Sequence, residues 1–129
     1  MNHFKLDASH GIILCRAKLS RGRQSIFLKL AVDTGASLTM VSVEAALALR
    51  IDPSKSKKHI EITTANGVVF VPVVRIPSFQ CFGTEIKNIE TACHNLPSES
   101  SVEGLLGLNF LKPAKVVLDF AKELIVIPK

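Results

Sequence analysis

Tryptophan and tyrosine are absent from the 129 residues, and the aromatic set is seven phenylalanines. A nucleic-acid reader that stacks bases on exposed aromatic platforms is therefore disfavoured, and no nucleic-acid partner is expected. No apolar run approaches the roughly 20 residues that span a bilayer. The start, Met1-Asn2-His3-Phe4-Lys5, has no cationic segment followed by an apolar stretch of leader length. A soluble, cytoplasmic protein with no membrane partner is the expectation. Cysteine is scarce: Cys15, Cys81 and Cys93 form an odd set without a C-x-x-C pair. His94 follows Cys93, but neighbours in a strand point to opposite faces, so a shared ligand role is not expected. The pattern calls for no metal and no cofactor, and inert thiols in a reducing compartment fit it. Repeats, linkers and low-complexity segments are missing too.

What is present suits a globular fold. Hydrophobic residues make up 47% and charged residues 21% of the chain, and the length fits a single domain spanning 1–129. The formal net charge is +5. Much of it sits in Arg21-Gly22-Arg23 and Lys55-Ser56-Lys57-Lys58, where turn residues predict loops. These read as solvated loop tips, with phosphate contact as the alternative.

Short strands dominate the chain. Ile12 to Leu19 alternates and predicts a strand. Ser20 to Arg23 is a turn, and Gln24 to Val32 returns with Ile26, Leu28, Leu30 and Val32 on one face. Leu38 to Val41 is a short strand. Ser42 caps a helix from Val43 to Arg50, which stops ahead of Pro53. His59 to Thr64 and Val68 to Ile76 form a long hairpin around an Ala65-Asn66-Gly67 turn, where Asn-Gly tolerates positive φ at both positions. Pro77-Ser78 breaks the chain. Phe79 to Phe82 and Ile86 to Ala92 pair around Gly83-Thr84. After a polar loop come a buried Leu105-Leu106, a helical turn at Leu108 to Lys112, and closing strands Val116–Phe120 and Leu124–Ile127. This inventory predicts an all-β barrel or folded sheet.

The stretch from Leu30 to Leu38 stands apart. An apolar strand runs into Asp33-Thr34-Gly35, and the apolar pattern then resumes. Such a loop can hold a carboxylate at the floor of a cleft, where burial and neighbouring charge tune it. The alternative is an ordinary turn opened by Asp33.

Together these pieces resemble the retroviral-type (retropepsin-like) aspartic peptidases. Three features carry the likeness: Asp33-Thr34-Gly35-Ala36-Ser37, the hairpin around Thr64-Ala65-Asn66-Gly67, and Leu105-Leu106-Gly107 leading into Leu108-Asn109-Phe110-Leu111. The likeness runs from about Ile12 to Ile127. It implies a closed-barrel-like acid-protease lobe with one or two short helices, a flap hairpin and a two-fold dimer. By resemblance, Asp33, Thr34 and Gly35 form the catalytic loop, with Thr34 bonding across the axis and the Gly35 amide near the carboxylates. Ala36, Thr63, Thr64, Ala65, Asn66 and Gly67 would contact substrate. Leu105, Leu106 and Gly107 would pack beneath the loop. Asn109 stands where related domains often carry Asp, which bears on substrate preference.

The chemistry of this family needs two carboxylates, and the chain has one Asp-Thr-Gly triplet. A homodimer with Asp33 from each subunit at the two-fold axis is therefore expected, acting on a peptide or protein substrate. The terminal strand Leu124–Ile127 either pairs with its symmetry mate or completes the barrel. The competing reading is a catalytically silent dimerisation or peptide-binding module on the same fold. A nucleic-acid binder using the two basic loops is the weakest reading.

Overall fold

The apolar alternation of the early chain becomes a hairpin. In the computed structural model, which describes residues 1–9 and 11–128, β1 is Asn2–Lys5, β2 Ile13–Arg21 and β3 Gln24–Val32. β2 and β3 pair from Ile13↔Val32 to Arg21↔Gln24 around a turn at Gly22-Arg23. Leu28 and Leu30 share the buried face with their partners Ala17 and Cys15. Next come β4 (Thr39–Val41), α1 (Val43–Ala48), a short 3-10 turn at Pro53–Lys55, β5 (Lys58–Thr64), β6 (Gly67–Cys81) and β7 (Thr84–Cys93). The chain ends with β8 (Gly104–Leu106), α2 (Leu108–Leu111), β9 (Val117–Asp119) and β10 (Leu124–Ile127).

Six strands close on themselves in the order β2-β3-β8-β4-β7-β6, and β6 returns to β2 through Leu19↔Phe79. The fold is therefore all-β, a closed barrel with two short helices, as expected. Leu19, Leu30, Leu49, Ile76, Leu106 and Phe110 are fully buried inside it. The rings of Phe79 and Phe110 meet there at 5.6 Å. β5 lies outside the ring, paired only with β6. This leaves β5 and the first half of β6 as a projecting two-stranded hairpin.

Pro77-Ser78 does not break the chain. The register is the same on both sides, Ile76↔Ile89 and Ser78↔Lys87. Pro77 falls opposite Asn88, whose φ is +54°. Proline removes one ladder donor. The strand survives because β7 holds it on one side and β2 pins Ser78 to Gln80 on the other. The following turn uses Phe82-Gly83, one residue earlier than expected. Both have positive φ, 53° and 70°, the geometry that matches hairpin twist.

β1 is invisible in the sequence because it is short and half polar. It becomes a strand only because β10 offers an edge, from Asn2↔Ile127 to Lys5↔Leu124. Phe4 then packs on Phe82 at 5.5 Å. β9 occupies the other edge of β10. Leu124–Ile127 is thus completed within its own chain, and both its edges are already taken. Pairing of this strand with a symmetry mate is replaced by pairing with β1 and β9.

Ser42 caps α1 as expected, its hydroxyl accepting from Ala45 N at 3.2 Å. The helix ends at Ala48, two residues before the expected Arg50, and Leu47 is half exposed while Ala45, Ala46 and Leu49 are buried. Arg21 explains part of this ending. Its Nη1 donates to the carbonyl of Arg50 at 2.6 Å and reaches that of Leu49 at 3.5 Å. Arg21 is therefore not a free loop tip; a cation there satisfies carbonyls left open at a helix end. Arg21→Ala is expected to cost about 1 kcal/mol, seen as a lower melting temperature. Arg23→Ala, next to the same turn, is expected to leave the melting temperature unchanged.

Candidate active site

β3 delivers Asp33 to the end of the barrel. The Asp33 N–H donates to Leu106 O at 2.9 Å, which hangs the loop on β8. The turn closes through Ala36 N to Asp33 O at 3.2 Å. The Gly35 N–H donates to Asp33 Oδ1 at 2.9 Å, so one carboxylate oxygen is held by the loop's own backbone. A Cβ on Gly35 would sit 3.2 Å from that oxygen, closer than most side chains tolerate. Asp33 is half-buried, while Thr34 and Gly35 are exposed.

A second layer fixes the loop from below. Leu108 N and Asn109 N donate to the carbonyls of Ala36 and Ser37 at 2.8 and 3.2 Å. β8 runs between β3 and β4, parallel to the first and antiparallel to the second. The crossing is tight. A Cβ on Gly104 would lie 2.1 Å from Met40 O, and one on Gly107 2.6 Å from the carbonyl carbon of Leu38.

Thr39, fully buried, ties this layer together. Its hydroxyl accepts from Gly107 N at 3.0 Å and donates to Asn109 Oδ1 at 2.9 Å. Asn109 Oδ1 also accepts from Thr39 N at 2.8 Å, and Asn109 Nδ2 donates to Glu90 O at 2.6 Å. The expectation that Asn109 bears on substrate preference is corrected here. It does not line the cleft; it bolts β4, β7 and α2 under the Asp33 loop. Asn109→Ala leaves the buried Thr39 N–H without a partner. An orphaned buried donor costs about 1–3 kcal/mol, so a lower midpoint in urea is expected. An unchanged midpoint would contradict this role.

The projecting hairpin of β5 and β6 roofs a cleft of about 990 Å³. Its floor includes Asp33, Gly35 and Ala36, its roof Thr63, Thr64, Ala65 and Asn66, and its wall Leu105. Eight of the expected site residues thus meet in one cleft. Thr34 and Gly67 do not line it, and Leu106 and Gly107 lie behind it. The tip falls where expected but is one residue tighter, and Asn66 does not take the expected positive φ. Its two central residues are Ala65-Asn66, because the ladder closes at Thr64↔Gly67. Only Gly67 has positive φ, 113°. Thr64 supplies the missing link, its hydroxyl accepting from Asn66 N at 3.2 Å and donating to Gly67 O at 2.9 Å.

The rest of the lining was not singled out from the sequence. Ile60, Ile62, Val69, Met40, Ala92 and Leu96 form a small apolar cluster of their own, separate from the barrel core, and they face the cleft with Leu105. The alternation of His59 to Thr64 carried a signal for the roof residues. No local signal marked His94 to Pro97, which tertiary packing brings to the rim.

The three cysteines are free and buried. The neighbouring Cys81 and burial both raise the Cys15 thiol, and burial pushes Cys93 up to about 11. Buried protonated thiols are poor nucleophiles. Among the described residues, no group of three or more His, Cys, Asp or Glu is placed to hold a metal ion. No helix among them is long and apolar enough to cross a membrane.

A closed β-barrel with a carboxylate loop below a projecting hairpin defines a lobe of the aspartic-peptidase type. Residues 23–113 match the family described as "gag-polyprotein putative aspartyl protease". The chain belongs to this family of retropepsin-like aspartic proteases. A crystal structure of a retropepsin-like aspartic protease from Rickettsia conorii is similar, with 27% identity and a TM-score of 0.72 over 95% of this chain and 86% of that one. No curated protein matches the sequence.

Proposed function

We propose that the protein is an aspartic endopeptidase that works as a homodimer, with residues 1–129 forming one lobe per subunit. The observation that carries this is a single floor carboxylate. Asp33 lies under the roof with one oxygen held by the Gly35 amide. The other carboxylate in the lining, Glu61, belongs to the roof strand and is exposed. Peptide hydrolysis by this class needs two carboxylates sharing one proton, since two like charges in contact do not both ionise. A second subunit supplies the missing Asp33.

In that assembly the ionised Asp33 takes a proton from water. The protonated Asp33 of the twin hydrogen-bonds the scissile carbonyl. The water oxygen bonds to the carbonyl carbon and forms a tetrahedral intermediate. A proton then passes to the amide nitrogen, the C–N bond breaks, and an amine and a carboxylic acid leave. Thr34, exposed in the single chain, bonds across the axis in this reading. An extended substrate lies between roof and floor, with alternate side chains entering apolar walls. The family and the similar bacterial protease support this reading.

The test is incubation with an unstructured protein across acidic to neutral pH, with and without a statine-type transition-state analogue. Cleavage in mild acid that the analogue blocks is expected. A stable dimer that cuts nothing at any pH would identify a silent peptide-binding module instead.

A further inference from the structure

Arg21-Gly22-Arg23 and the stretch from Arg50 to Lys58 are far apart in sequence, yet the fold joins them. The Arg21 guanidinium sits on the Arg50 carbonyl at 2.6 Å. Six of the 16 basic residues and one of the 11 acidic residues fall in these two segments, which leaves ten of each sign elsewhere. These two segments thus carry a formal charge of +5, equal to that of the whole chain. Within them, Lys58 is paired with Glu90. Asp52 is engaged as a cap, accepting from Ser54 N and Oγ at 3.0 and 2.7 Å. Arg21, Arg23, Arg50, Lys55 and Lys57 remain, all exposed and none lining the cleft.

We propose that this surface binds the phosphodiester backbone of nucleic acid without reading its bases. Like charges held together repel, and a regular row of phosphates relieves that repulsion while releasing counterions. Arginine and lysine are suited to phosphate oxygens. Neither segment carries an aromatic residue, so base stacking is absent and the contacts stay on the backbone. Neither exposes a large apolar side chain. A membrane anchor needs an apolar face and an acidic peptide site an apolar anchor, whereas a dense polyanion needs neither. The sequence, with no aromatic platform and two short basic loops, led to the opposite expectation; only their junction makes a surface.

The test is fluorescence anisotropy with a labelled mixed-sequence DNA duplex over a range of salt. Binding is expected to weaken with salt at a log–log slope of about −4, independent of sequence. Arg23→Ala/Lys55→Ala/Lys57→Ala should lower the slope by about 3 and the affinity in low salt by about a hundredfold. All three positions are exposed, and an unchanged melting temperature verifies the fold. Lys87→Ala/Lys112→Ala/Lys122→Ala removes the same charge elsewhere and should bind like the wild type. Equal loss in both variants, no binding in low salt, or tighter binding to phosphatidylserine vesicles than to DNA would each overturn the proposal.

Discussion

Asp33→Asn is expected to lower kcat by at least roughly 10⁴-fold while the fold and the dimer survive. Asparagine has the shape of aspartate, and its amide oxygen can still accept from Gly35 N, the bond that holds the loop at 2.9 Å. It cannot take a proton from water or carry the charge that makes it a base. Mixing adds a second readout. When subunits exchange freely, an equal amount of the inactive variant should cut wild-type activity to about half, because mixed pairs lack one carboxylate. If each chain carried a complete centre, the added variant would change nothing. Wild-type rates from Asp33→Asn itself would end the assignment.

Gly107→Ala should destabilise the fold by about 3 kcal/mol or more, a fall in melting temperature of about 10 °C or more. The added Cβ would lie 2.6, 2.7 and 2.8 Å from Leu38 C, Leu38 O and Thr39 N. All three are backbone atoms, so no side-chain rotation relieves the clash. The shift also strains the bond from Gly107 N to Thr39 Oγ1, and with it the layer under Asp33. Gly22→Ala is the control. Among the described residues nothing lies within 4 Å of its Cβ, and the φ of +57° is what opposes it, a cost of about 1 kcal/mol. Equal melting of the two variants would show that the β8 crossing has room to spare.

The hairpins were legible because their signals are local. Alternation at Gln24 to Val32 gave β3 to the residue, and the Ser42 cap marked the start of α1. Asp33-Thr34-Gly35 stood out because such residues rarely interrupt an apolar strand. Pro77 misled for the converse reason. A proline weakens a strand locally, but two flanking strands supply bonds that no local reading contains. Asn109 stood out only as a departure from the family's Asp, and its bonds to Thr39 and Glu90 reveal a tie between strands.

By itself the sequence determined most of the hairpins and the carboxylate loop, since each depends on residues near one another in the chain, and its three motifs carried the family resemblance. Tertiary structure alone decided how the barrel closes, which edges of the last strand are filled, and how the roof meets the floor. It alone brought the two basic segments together, with Arg21 on the Arg50 carbonyl. Burial, strand pairing and electrostatic fields sum over residues distant in sequence, and only folding sets those distances.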